Sequence, residues 1–156
     1  MSWAVAKNKK NKIRGTKRAD VLTGTADRDI VIAKGGDDTI TTFEGNDKIK
    51  AGSGDDIITS GTGMDKVWGG KGLDVFVTEN GSASNPKEGY MKIMDFEVGD
   101  TIEFCGCLSA DLEQRGGDVW LVKGEDVKAV IKGVNKEDLD MDYSNRVITF
   151  AVDPLA

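Results

Sequence analysis

Seven aspartates, Asp20, Asp29, Asp38, Asp47, Asp56, Asp65 and Asp74, stand nine residues apart along the chain. A carboxylate can work as an acid or base, fold a turn onto itself, or hold a hard cation, and the spacing decides among these. Glycosidic cleavage needs two carboxylates set across one cleft, which a strict ladder does not build. The chain has no histidine, so no Ser-His or Cys-His dyad is available. No phosphate-cradling loop or dinucleotide fingerprint is present either. The acids outside the ladder, such as Asp95, Asp100 and Asp118, fall beside turn residues. The residues point to cation binding, and an enzyme is not expected.

The elements that position these carboxylates follow from the nine-residue frame. In register, residues 15–77 read GTKRADVLT, GTADRDIVI, AKGGDDTIT, TFEGNDKIK, AGSGDDIIT, SGTGMDKVW and GGKGLDVFV. Aspartate is always sixth. An apolar residue is always eighth: Leu22, Val31, Ile40, Ile49, Ile58, Val67 and Phe76. A flexible acidic linker would have no reason to keep that apolar position. Nine residues fit neither a helical period nor a plain alternating strand, so each unit is a turn plus a very short strand. Gly36, Gly45, Gly54, Gly63 and Gly72 lie two places before the aspartate, where a turn needs positive φ or close approach. The expected fold is all-β: a parallel β-roll, a two-sided β-helix of about seven repeats, with odd repeats on one side and even repeats on the other. Strands about 4.8 Å apart stack Asp38, Asp56 and Asp74 on one edge and Asp29, Asp47 and Asp65 on the other. At that distance two carboxylates repel by roughly 3 kcal/mol at an effective dielectric near 20. A cation must lie between them. Carboxylates with turn carbonyls form a flexible all-oxygen cage, which suits Ca²⁺ better than octahedral Mg²⁺.

These units resemble the glycine- and aspartate-rich nonapeptide repeats of the RTX (hemolysin-type) calcium-binding family, whose pattern G-G-x-G-x-D-x-U-x is a known parallel β-helix repeat. The resemblance implies several Ca²⁺ ions held by the sixth-place aspartates, Asp20 and Asp29 included, and by the turn glycines Gly35, Gly36, Gly45, Gly52, Gly54, Gly61, Gly63, Gly70 and Gly72. Repeat seven matches every fixed position; repeats five and six have Ala51 and Ser60 for the first glycine. Repeats one and two carry Arg18 and Asp27 at the fourth place, and repeat four has Thr42 and Phe43 for the leading pair, so poor sites are expected there. At Asp20 the Arg18 cation could stand in for the ion. KIMDFEVGDTIEF, beyond the repeats, resembles a stretch that follows them in many RTX proteins, including the repeat modules of alginate epimerases.

Three regions follow: a basic arm at 1–13, the β-roll at 14–77 and a β-rich C-terminal cap at 78–156, with net charges of +4, −2 and −8 in a total of −6. The arm has no apolar stretch fit for a signal peptide or membrane span, and Trp3 could cover the first coil. Its lysines could dock on an acidic surface or particle; nucleic acid is not the expected partner. Residues 79–89 read as a loop, and 90–96, 101–104, 119–122, 127–131 and 146–152 as cap strands. Cys105 and Cys107 are too close in sequence to bridge each other easily and too few for a zinc site; free thiols or an intermolecular disulfide remain open.

Two classes of function are consistent with this reading. One is a non-enzymatic module, secreted or on a surface, whose folding Ca²⁺ drives: a matrix or adhesion protein, with VITFAVDPLA compatible with a type I secretion signal, or a decoration protein on a virion. The other is a calcium-dependent polysaccharide-binding module, with Trp68, Trp120 and Tyr90 as sugar platforms.

Overall fold

The computed structural model describes residues 11–78, 89–104 and 110–151. Expectations about Trp3, the loop at 79–88, Cys105, Cys107 and the last five residues lie outside that range. In chain order the first ten strands are β1 (Asn11–Arg14), β2 (Val21–Thr23), β3 (Asp29–Ile32), β4 (Thr39–Thr41), β5 (Lys48–Ser53), β6 (Ile57–Thr59), β7 (Gly63–Lys71), β8 (Val75–Thr78), β9 (Gly89–Ile93) and β10 (Thr101–Phe104). They alternate between two parallel sheets. β1, β3, β5, β7 and β9 form the even sheet; β2, β4, β6, β8 and β10 form the odd one. Each strand pairs with the next but one in a register of two repeats, as in Val21↔Thr39 and Ile30↔Lys48. This is the expected two-sided roll.

The eighth-place side chains meet between the sheets. Val31, Ile40, Ile49, Ile58, Val67 and Phe76 are completely or almost completely buried, and only Leu22, near the open end, is partly covered. First-place residues also point inward, so Ala33, Ala51, Thr42 and Ser60 are buried. A small side chain suits that place as well as glycine does, which makes these sequence departures harmless to packing.

The roll is longer than its repeats suggest at both ends. Residues 11–13, read as part of the arm, belong to β1, which pairs with β3 in the same register, Asn11↔Asp29. Asn11 takes the sixth place and Ile13 the eighth; the missing aspartate hid this unit. Beyond residue 78, read as the cap, β9 and β10 continue both sheets, with Gly63↔Gly89 and Thr101↔Val75. Eight extra residues separate these coils from the preceding ones, which breaks the period in sequence but not in space.

The cap continues both sheets. β11 (Asp111–Arg115), β12 (Asp118–Lys123) and β13 (Asp126–Lys132) form an antiparallel meander that joins β9 through β13. A single turn of 3₁₀ helix, Lys136–Asp138, then leads into β14 (Leu139–Asp142) and β15 (Val147–Phe150), whose hairpin adds antiparallel to β10. β11 and β14 are end strands that bury only Leu112 and Leu139 respectively, so their sequences alternate too weakly to read. Phe96 bridges the two regions, 6.0 Å from Phe76 and stacked at 5.3 Å on Phe150.

Candidate metal centre

The turns of odd repeats line one edge of the roll and those of even repeats the other. From repeat three onward the second and fourth places have positive φ. Gly54 and Gly72 show why the fourth place is glycine: φ is +125° and +133°, and a Cβ on Gly72 would lie 2.1 Å from the Gly54 carbonyl oxygen. Carbonyls of successive coils are thereby brought into a close stack. Gly36, Gly45 and Gly63 share that conformation, as do Gly52, Gly61 and Gly70 at the second place. Gly35, at the third place, does not have positive φ; it is hemmed in by the Ser53 hydroxyl instead. Lys34 and Phe43 adopt positive φ without being glycine, a strained backbone held by its neighbours.

From Asp38 to Asp74 each sixth-place carboxylate accepts a hydrogen bond through one oxygen from the backbone N–H of the aspartate one coil earlier. The odd edge runs Asp20 N–H to Asp38 at 2.8 Å, Asp38 to Asp56 at 2.8 Å and Asp56 to Asp74 at 3.0 Å. On the even edge Asp29 donates to Asp47 and Asp47 to Asp65, both at 2.8 Å. The other oxygen, Oδ2, of Asp38, Asp47, Asp56, Asp65 and Asp74 is buried with no partner. Burial is the main cause that pushes these carboxyls up, to about 6 at Asp56 and about 7 at Asp65 and Asp74, with neighbouring ladder charges adding to it. A buried carboxylate oxygen without a donor is costly, and the five in regular array are candidate ligands for a cation.

Asp20 and Asp29 are built differently. Their turns hold Thr16 and Thr25 at the second place, whose backbone N–H groups donate to the carboxylates at 2.6 and 2.7 Å, assisted by the threonine hydroxyls. Those bonds, first the backbone and then the hydroxyl of Thr16, hold the Asp20 carboxyl below its usual range, with Lys34 adding to the effect. Arg18, expected to supply a surrogate cation, is exposed to solvent. The cation beside Asp20 is Lys34, whose ammonium donates to the Gly15 carbonyl.

The ladder also extends where the sequence was read only as turns. Asp74 N–H donates to Asp100 at 3.1 Å and Gly69 N–H to Asp95 at 3.0 Å, and burial raises both of these carboxyls. The signal was present: Asp100 stands two residues before the buried Ile102, as in every repeat. A second, outer ladder at the fifth place links Asp37 to Asp55 and Asp55 to Leu73, with Asn46 doing the same for Met64.

Among the described residues no three acidic or thiol side chains converge on one point, so an ion held on either edge would need turn carbonyls as well. Carboxylate and carbonyl oxygens without nitrogen or sulfur are the donor set of Ca²⁺. Fold and site together define a calcium-binding parallel β-roll. Residues 8–40 and 41–76 match the RTX calcium-binding nonapeptide repeat family, and this part of the chain is an array of such repeats, which bind several Ca²⁺ ions. Among solved structures, the extracellular lipase LipA from Serratia marcescens is similar at 18% identity and TM-score 0.32, over 90% of this chain and 21% of that one. The AlgE6R3 subunit of the Azotobacter vinelandii mannuronan C5-epimerase is similar at 21% identity and TM-score 0.31, over 76% of this chain and 73% of that one. The chain thus spans about a fifth of the lipase's length. A search of curated proteins finds no match.

Proposed function

We propose that the chain is a non-enzymatic structural module, secreted or displayed on a surface, whose winding is driven by Ca²⁺. The observation that carries this reading is the array of five buried, unpartnered Oδ2 atoms in a roll with a thin core. Ions that bind only the wound chain add their binding free energy to its stability. The chain offers two levels of free Ca²⁺ two different states, unwound where the ion is scarce and folded where it is abundant. RTX repeats are typical of secreted proteins, and among the described residues no helix is long and apolar enough to cross a membrane. A matrix, adhesion or particle-decorating role fits a module whose regular feature is an array of ion-binding turns. The test is calcium titration of the dialysed protein followed by far-UV circular dichroism and calorimetry. Strand signal should appear with Ca²⁺ and not with equal Mg²⁺; a spectrum unchanged by excess chelator would defeat the proposal.

A further inference from the structure

The two outer faces of the roll differ in charge. Strands β2, β4, β6 and β8 of the odd sheet contain no charged residue at all. The even sheet turns Lys12, Arg14, Lys48, Lys50, Lys66 and Lys92 outward. Three of these are direct neighbours on adjacent strands, since Lys48 pairs with Lys66 and Lys66 with Lys92. Like charges set opposite one another destabilise a sheet. The Trp68 ring steadies part of the group, with the ammonium nitrogens of Lys48 and Lys50 at 5.2 and 5.4 Å from its centre. A locally unfavourable arrangement in an acidic protein marks a place used for something else.

Its complement lies on the opposite side of the molecule, where the odd sheet passes into the cap. There Ile102, Leu139 and Ile148 point into the core, so by alternation Glu103 on β10 and Asp140 and Asp142 on β14 point outward. Glu137 and Asp138, in the 3₁₀ turn that leads into β14, are exposed as well. The ion pairs among the described residues are Arg115–Glu113, Lys128–Asp126 and Lys132–Asp118, so neither the lysine row nor this acidic group is matched within the chain. The same division holds for the whole sequence: residues 1–77 carry a net +2 and residues 78–156 a net −8 before any ion binds. Each Ca²⁺ taken up by the ladder adds two positive charges to the roll. Loading therefore sharpens the contrast between a cationic roll and an anionic cap.

We propose that the calcium-wound chain is complementary to itself, the lysine row of one copy seating on the acidic cap end of a second copy. The two patches belong to different sheets and face opposite ways, so one copy cannot make both contacts with the same neighbour. The contact is therefore head to tail, and copies add in a row without closing as a pair. Exposed ion pairs are individually weak. Several act together here, and the association they carry is reversible and is screened by salt. This inference rests on the calcium-wound module and goes beyond it by giving that module a partner, another copy of the same chain.

The test is sedimentation velocity of the calcium-loaded full chain, after circular dichroism has shown it wound, at about 20 mM and about 500 mM salt, where screening lengths are roughly 20 Å and 4 Å. At low salt the mean mass should climb with concentration past that of a dimer, and at high salt it should return to that of the monomer. Lys48→Gln with Lys66→Gln weakens the basic patch, and Glu103→Gln with Asp140→Asn the acidic one. Each double variant alone should stay monomeric where the wild type has passed the dimer, with bound calcium and spectrum unchanged. Mixed in equal amounts, each variant supplies the patch that the other lacks, and the pair should form a dimer that grows no further. A wound wild-type chain that stays monomeric at low salt, a closed dimer, or association that salt strengthens would each overturn the proposal. So would a double variant that assembles as the wild type does, or a mixture that stays monomeric. A chain that does not wind with calcium defeats the module reading first, and this inference with it.

Discussion

At the scale of single residues, the seven aspartates that look alike in sequence divide by what their second oxygen meets. Asp56 gives one oxygen to a backbone N–H and leaves the other buried without a partner, between Asp38 and Asp74. Asp20 is satisfied within its own turn by Thr16 and has Lys34 beside it. Asp56→Ala should therefore lose bound calcium and raise the calcium midpoint of folding severalfold, while Asp20→Ala keeps the wild-type ion count; calorimetric ion counting on both checks this, and equal losses would refute the ranking. The turn glycines make a separate prediction. Gly72→Ala forces an L-residue into φ +133° with its Cβ against the Gly54 carbonyl. It should cost about 2 kcal/mol or more, read as a lower midpoint in urea at saturating Ca²⁺.

At the scale of the turn-and-strand unit, the ladder behaves as one titrating element. In the metal-free wound state Asp56, Asp65 and Asp74 bind protons up to pH values of about 6 to 7, well above the 3.8 of a free aspartate. The wound state therefore holds more protons than the unwound one, and its stability falls as pH rises. The contribution is complete below about 3.8 and is lost as pH climbs through about 7. Two outcomes are expected: without calcium, strand content rises on going from about pH 8 to about pH 5, and with calcium the folding midpoint shifts to higher Ca²⁺ over the same descent, because ions displace those protons. Circular dichroism across a pH series measures both. The unit itself was legible because, between Asp20 and Phe76, the sixth place is always aspartate and the eighth always apolar. Its outlying copies were not: Asn11 replaces aspartate in the first, and in the last, DFEVGDTIE, glycine falls at the fifth place and an insertion resets the count. The threonine-closed turns were invisible for another reason. Thr16 and Thr25 replace a glycine by making two hydrogen bonds, which no consensus of glycines reveals.

At the scale of the whole molecule, roll and cap share both sheets and one core that runs from Val31 to Ile148. In sequence, residues 78–156 read as a β-rich cap set apart from the roll. With β13 paired to β9 and β15 to β10, losing the coils strips the cap of its neighbours. Chelation should unfold the two together in a single transition, followed by hydrogen exchange: amides of Val119, Leu121 and Ile131 should lose protection along with those of Ile49 and Ile58. Persistence of the cap amides would show two independent units. The interval after Thr78 bears on a different matter. Before it, partners are 18 residues apart; across it, Gly63↔Gly89 and Val75↔Thr101 are 26 apart, yet both sheets stay in phase. The repeat is thus kept by the sheets and not by counting along the chain, so residues added between Thr78 and Gly89 need not shift the pairing on either side. A peptide tag spliced between Ser82 and Ala83, doubling the connection, should cost only about 0.6 kcal/mol in closure entropy and leave the coils on either side in frame.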